Sequence, residues 1–310
     1  MCGYVGGVVD EVRFRSEDGL ECIGTLYRPD GDQTSPLPCV VMGNGVSMTR
    51  RDGVPRFAER FAGSGFAALA FDFRHLGDSA GEPRHLIDYK RQCADFRAAV
   101  SFARSSHGLD PRRIALWGFS LGGGVALACA IDDADLAAAV LLCPLVDGLA
   151  FSLAGNLRNN LRVLGLTLRS LIRHEKATLR VAGSGDGPVL LAQAEAAPGF
   201  EAVKGHGSSW TNEVCVEPMR PAPRFRPVRG ARQVNLPLLI CLGSEDTVVP
   251  ERPIVKVTSR APAAELRRFP ISHFGGFTDG FEAVVAEQVR FLRLHLDVPD
   301  APAGHGSVGH

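Results

Sequence analysis

Residues 113–131 read RIALWGFSLGGGVALACAI. An apolar run reaches Gly118, and three glycines then lead into an apolar stretch with helical character. Ser120 lies at the junction, inside Gly118-Phe119-Ser120-Leu121-Gly122, which fits the G-x-S-x-G pattern. Where a buried strand turns sharply into a helix, a serine projects its hydroxyl above the sheet. Glycines on either side remove side chains from the crowded turn, and the helix N-terminus offers unsatisfied N–H groups. An ordinary glycine-rich turn is the bland reading. A phosphate-cradling loop is a third, but the stretch lacks the Lys-Ser/Thr ending that such a loop needs.

The surrounding sequence supplies the context that a pentapeptide alone cannot. Residues 8–28 alternate as two strands around Asp18-Gly19, a hairpin signal. Short apolar runs at 37–45, 66–74, 113–120, 137–145, 236–243 and 264–270 read as buried strands. Helical patterns at 56–65, 85–106, 121–131 and 281–296 fall between or after them. This alternation predicts an α/β fold, a mainly parallel sheet with helices on both faces. In such a sheet, ligands bind beyond the carboxyl ends of the strands, where Ser120 falls.

A serine hydroxyl needs a base, and the base needs an orienting carboxylate. LICLGSEDTVVP puts Asp246 just past one strand, and RRFPISHFGGF puts His273 after the next. Ser120, Asp246 and His273 are therefore the expected catalytic set, with Glu245 and Asp147 as reserve acids. Taken singly, Asp246 reads equally as a turn aspartate and His273 as a surface histidine. A tetrahedral oxyanion needs two donors. Leu121 N–H is one, and Val46 N–H, in the loop Gly43-Asn44-Gly45-Val46-Ser47, is the nominated second.

The chain has 310 residues, 45% of them apolar, with 34 basic and 34 acidic side chains. Balanced charge argues against a general nucleic-acid binder. Eight scattered cysteines, with no C-x-x-C, suggest a reducing, cytoplasmic setting and no metal site. The stretch MCGYVGGVVDE has no basic n-region and no apolar run approaches about 18 residues, so neither a secretory signal nor a membrane span is expected.

These motifs together resemble the α/β-hydrolase superfamily over roughly residues 8–297. The similarity rests on VVMGNGVSMTR, AFDFRHLGDSAGEPR, DPRRIALWGFSLGGG, LGSEDTVVP and ISHFGGF. It is strongest to the dienelactone-hydrolase-like and acetyl-xylan-esterase-like branch, related to X-Pro dipeptidyl peptidases. The resemblance implies an eight-stranded sheet, a Ser-Asp-His triad and no cofactor. It implies that Arg74, His75 and Asp78 shape the loop beside the pocket. Where many relatives carry His-Gly in the oxyanion loop, this chain carries Asn44-Gly45.

The resemblance places a lid at 146–235, where the strand–helix rhythm breaks, between core segments 1–145 and 236–297. The Pro/Gly-rich composition of 298–310 predicts a disordered tail whose His305 and His310 are expected to be solvated and not ligands. Within the lid, Leu153, Leu157, Leu161, Leu164, Leu168 and Leu171 recur at steps of four and three, with Arg158, Arg162, Arg169 and Arg173 on other faces. That is an amphipathic helix, or two broken near Gly165. It is expected to turn its leucines inward over Ser120, a membrane-surface helix being the alternative. Asn44, Leu161, Leu164 and Trp210 are the expected pocket residues, with Asn212 close by. MRPAPRFRPVRGAR reads as a solvated strap or, less readily, an anion-recognition patch.

The leading expectation is serine attack on an ester, thioester or lactone with a hydrophobic acyl or aromatic part, followed by hydrolysis. The alternatives are an acyltransferase or cyclase using the same triad, and a non-catalytic ligand-binding fold. A small acyl substrate is the expected partner, with a second copy of the chain or a carrier protein left open.

Overall fold

The computed structural model describes residues 7–31, 33–173, 175–183, 187–216 and 222–298. The expectations for the tail beyond Val298, including His305 and His310, lie outside the described residues. The strands are β1 (Gly7–Arg15), β2 (Glu21–Pro29), β3 (Leu37–Gly43), β4 (Ala67–Phe71), β5 (Leu86–Ile87), β6 (Leu109–Phe119), β7 (Ala138–Leu142), β8 (Ala177–Ala182), β9 (Val189–Leu191), β10 (Val214–Val216), β11 (Leu238–Gly243) and β12 (Ala264–Phe269). The helices are α1 (Val54–Ala62), α2 (Tyr89–Ser105), α3 (Ser120–Asp132), α4 (Gly148–Ala154), α5 (Leu157–Arg173), α6 (Ala196–Val203), α7 (Glu251–Thr258) and α8 (Phe281–His295).

Eight strands form one sheet in the order β1-β2-β4-β3-β6-β7-β11-β12. β1 and β2 form the expected antiparallel hairpin, β2 runs antiparallel to β4, and the remaining neighbours are parallel. The central strands β3, β4, β7 and β11 are buried at every position, because helices cover both faces. α1 and α8 meet on one face through Phe57 and Phe281, with ring centroids 4.9 Å apart. Trp117 of β6 donates its indole N–H to Gln288 of α8 at 2.9 Å, which satisfies the buried amide. α2 and α3 pack together on the other face.

Two parts of the sequence reading need correction. The helix expected over 85–106 begins at Tyr89, where the Asp88 side chain accepts from the N–H groups of Lys90 and Arg91. Leu86 and Ile87 before it pair instead with β10. They join a second, four-stranded sheet, β5-β10-β8-β9, built mostly from the segment between β7 and β11.

The other correction concerns α5. The helical break falls at Gly155-Asn156, not Gly165, and the leucine stripe faces outward. Leu153, Leu157, Leu161, Leu164 and Leu168 are 50–75% exposed. α5 instead packs on the core through Val163 and Leu166, with Ser170 buried beside them, an edge about two-fifths of a turn away and nearly opposite the leucines. Asn159 lies on that same edge. Its side chain donates to the Val189 carbonyl at 2.9 Å and accepts the Val189 N–H at 3.1 Å. Both backbone groups of Val189 in β9 are thereby satisfied, on the edge of α5 opposite the leucines. Asn212 does the same for Ala182 of β8, at 2.8 and 2.9 Å, so it braces the small sheet. Among the described residues no helix is long and apolar enough to cross a membrane.

Candidate active site

Ser120 sits where β6 gives way to α3, with its φ at +50°, in the left-handed region that non-glycine residues rarely adopt. The turn is possible because its neighbours lack side chains. A Cβ on Gly118 would come within 2.4 Å of the Gly122 carbonyl oxygen, and one on Gly122 within 2.3 Å of that of Asn44. The elbow is thus pressed directly onto the loop after β3. Leu121, second residue of α3, belongs to the first turn, whose N–H groups have no intrahelical acceptor. Partial positive charge gathers there.

Asp246 follows β11. One carboxylate oxygen accepts the N–H groups of Val248 and Val249 at 2.8 and 3.0 Å. The other accepts His273 Nδ1–H at 2.7 Å. A carboxylate on Nδ1 sets the tautomer and leaves Nε2 as an acceptor. Nε2 lies 3.0 Å from Ser120 Oγ, so the hydroxyl donates to it. Ser120 is 7% exposed and His273 1%. The fold therefore brings these three expected residues into one hydrogen-bonded line. Glu245 is exposed, and Asp147 caps α4 while pairing with Arg226 at 2.8 Å. Neither reserve acid has a bond to His273.

Among the described residues, one group of His, Cys and carboxylate atoms could share an ion: Cys143, Asp246 and His273, within 4.8 Å of one another. Both imidazole nitrogens are already engaged, and burial pushes the Cys143 thiol well above its usual pKa. The thiol therefore stays protonated, which suits hydrogen bonding better than cation ligation.

The loop after β3 is braced from within. Asn44 donates to the carbonyls of Thr49 and Asp52, both at 2.8 Å, and accepts the Gly45 N–H at 2.8 Å. Its amide is fully occupied, so Asn44 shapes the loop and does not line a pocket. Val46 is the buried apex of that loop. Below it, Asp72 accepts the Arg50 N–H at 2.6 Å and pairs with the Arg50 guanidinium. Arg74 pairs with Asp95 at 2.6 Å. His75 turns one nitrogen to the Pro83 carbonyl (3.1 Å) and the other to Arg91 (3.3 Å), with no bond to Ser120. Burial lowers the His75 pKa, keeping the ring neutral. Asp72, Asp95 and His75 thus each bond a backbone group of these loops, and the Asp78 N–H is held by Asp72 at 3.0 Å.

Trp210 comes to the site and the leucines do not. Its indole N–H donates to Ser47 Oγ at 2.9 Å, and its ring stacks on Phe200 at 5.0 Å. Phe200 meets Phe274 at 5.0 Å, and Phe274 and Phe119 meet the His273 ring at 5.1 and 4.9 Å. An aromatic wall thus runs from the loop after β3 to the histidine. Leu161 and Leu164, with their side chains in solvent, are no part of it. Phe200 was missed because an isolated aromatic in AAPGFEAV carries no signal of its partner. Glu195, next to that segment, was missed for the same reason; its Oε2 accepts the His273 N–H at 2.9 Å.

A family model described as Hydrolase_4: Serine aminopeptidase, S33 matches residues 36–274. The chain is 35% identical over 293 residues to "Quorum-quenching protein AidA" of Acinetobacter baumannii, covering 93% of this chain and 95% of that one. It is 26% identical over 305 residues to "Polyketide transferase claH" of Penicillium crustosum, covering 93% and 97%. The fold superposes on the crystal structure of alpha/beta hydrolase GrgF from Penicillium sp. sh18 with a TM-score of 0.79, at 24% identity, covering 94% and 99%. The chain belongs to the serine aminopeptidase S33 family of α/β hydrolases.

Proposed function

We propose that the protein is a serine hydrolase that cleaves an ester, thioester or lactone through an acyl-enzyme. The observation that carries this is the unbroken line from Asp246 through His273 to Ser120 Oγ, with bonds of 2.7 and 3.0 Å, at a positive-φ elbow. Ser120 Oγ attacks the acyl carbonyl as its proton passes to His273 Nε2, and Asp246 steadies the imidazolium. The oxyanion forms against Leu121 N–H and Val46 N–H. Collapse expels the alcohol or thiol, which takes the proton from His273. Water then repeats the cycle on the acyl-serine and frees the acid.

Phe119, Phe274, Phe200 and Trp210 pack behind and beside the His273 ring, and this apolar surround supports a hydrophobic acyl or aromatic group on the substrate. Residues 146–235 serve as the cover of the site through Trp210 and Phe200. Among the described residues the cysteines are free and most of them buried, which supports a reducing, cytoplasmic compartment.

A second reading is favoured by the likeness to a polyketide transferase: the acyl-serine passes to an amine or alcohol instead of water. A fluorophosphonate probe should label wild type and not Ser120→Ala. p-Nitrophenyl esters and acyl thioesters, with and without an added nucleophile, then measure hydrolysis against transfer. Labelling at another residue, or full turnover by Ser120→Ala, would remove the proposal.

A further inference from the structure

β11 and β12 are hydrogen-bonded neighbours, and their bonding continues a little past the strand ends. The Ser244 N–H reaches the Phe269 carbonyl at 2.8 Å, and the Glu245 N–H reaches that of Ile271 at 3.1 Å. Beyond that point the two loops part, and they carry Asp246 and His273. A side chain from outside the main sheet takes over there. Glu195, immediately before α6, accepts the His273 backbone N–H on Oε2 at 2.9 Å. Its Oε1 accepts the Thr247 backbone N–H at 2.7 Å and also the Thr247 hydroxyl. One carboxylate thus bonds the histidine residue itself and the residue after the aspartate. Bonds to an ionised acceptor are about twice as strong as neutral ones.

Glu195 is itself well held. A Cβ on Gly199 would lie 2.1 Å from the Phe274 ring, so α6 is in close contact with the histidine loop. A Cβ on Gly205 would lie 1.6 Å from the Arg51 carbonyl oxygen, and the Gly205 N–H points to Asp52 at 3.3 Å. Trp210 closes the segment on Ser47. Residues 195–210 therefore touch the acid loop, the histidine loop and the loop after β3.

We propose that Glu195 is a positioning residue, clamping the Asp246 and His273 loops together so that the imidazole stays aligned between carboxylate and hydroxyl. The inserted segment is then part of the catalytic frame as well as its cover. This rests on the reading that Ser120, His273 and Asp246 perform the chemistry.

The test uses the full chain, p-nitrophenyl butyrate as substrate and fluorophosphonate titration to count working sites. Glu195→Ala should lower kcat per titrated site by about 10- to 100-fold, with KM within about twofold, as expected when a reacting group drifts by a fraction of an ångström. Glu195→Gln keeps one acceptor oxygen and should recover part of the loss. Thr247→Val removes one bond of the clamp and should cost several-fold. A kcat per titrated site within about twofold of wild type in Glu195→Ala overturns the clamp, as does a loss confined to KM or equal losses in Gln and Ala. Should Glu195→Ala fail to fold, the Glu195→Gln and Thr247→Val pair decides: unchanged kcat in both overturns it. Full turnover by Ser120→Ala is a separate failure, that of the underlying chemistry.

Discussion

Gly122→Ala is a small change whose consequences can be worked out from the geometry. The new Cβ would lie 2.3 Å from the Asn44 carbonyl oxygen and 2.4 Å from that of Gly43. Ordinary contact begins near about 3.4 Å, so the helix start and the loop after β3 must separate by about 1 Å. Both neighbours are backbone atoms and cannot rotate away. The two donors proposed for the oxyanion ride on the surfaces that part, Leu121 on one and Val46 on the other. Losing one such donor costs about 10²–10³ in rate, and a misplacement of about 1 Å costs about 10². We therefore expect kcat/KM on p-nitrophenyl butyrate to fall by about 100-fold, together with about 1–3 kcal/mol of stability from overpacking. The stability loss runs against propensity, since alanine in a helix is ordinarily better than glycine by about 1 kcal/mol. Gly165 in α5 is the control, because a Cβ there meets nothing within 4 Å. Gly165→Ala should raise the melting temperature slightly and leave kinetics alone. Steady-state kinetics, fluorophosphonate titration and thermal melts on both variants make the comparison. A Gly122→Ala enzyme within about threefold of wild-type kcat/KM would refute the close-approach argument.

Ser120→Ala and His273→Ala should each remove about 10⁴–10⁶ of kcat, and the double variant should be scarcely worse, because the three residues act as a unit; additive losses in single-turnover assays would contradict this. Leu161→Ala and Leu164→Ala should leave the ratio of long-chain to acetyl ester kcat/KM unchanged, since both side chains stand in solvent at 59% and 52% exposure. A selective rise in KM for long acyl chains would return them to the pocket. Burial pushes the Cys39 and Cys241 thiols up to about 12, so iodoacetamide at pH 8 should modify neither in the folded protein. Their rapid alkylation under native conditions, read by peptide mass spectrometry, would show that the core opens.

The sheet and the elbow were legible in the amino-acid sequence because both depend on local chemistry. Runs such as LPCVVMG and LLICLG are too short for a helix and rich in β-formers, so between helical patterns they read as buried strands, and Gly118-Phe119-Ser120-Leu121-Gly122 needs its glycines for a turn made within a few residues. The order of Ser120, Asp246 and His273 along the chain, each just past a strand, was legible for the same reason. What happens between β7 and β11 was not. The heptad-like leucines of α5 specify an apolar face, but periodicity says nothing of which way that face turns. The inward edge carries Asn159, which meets the backbone of Val189 30 residues away, a pairing that no local pattern encodes. Asn44 is a similar case: its residue type suits a pocket, yet Thr49, Asp52 and Gly45 occupy its amide. Glu195 reads in the sequence as one more surface acid, and only folding brings it against N–H groups 52 and 78 residues away. Short-range sterics and hydrophobic alternation are written in neighbouring residues. The pairing of buried polar groups across the fold is a many-body condition that only the tertiary structure resolves.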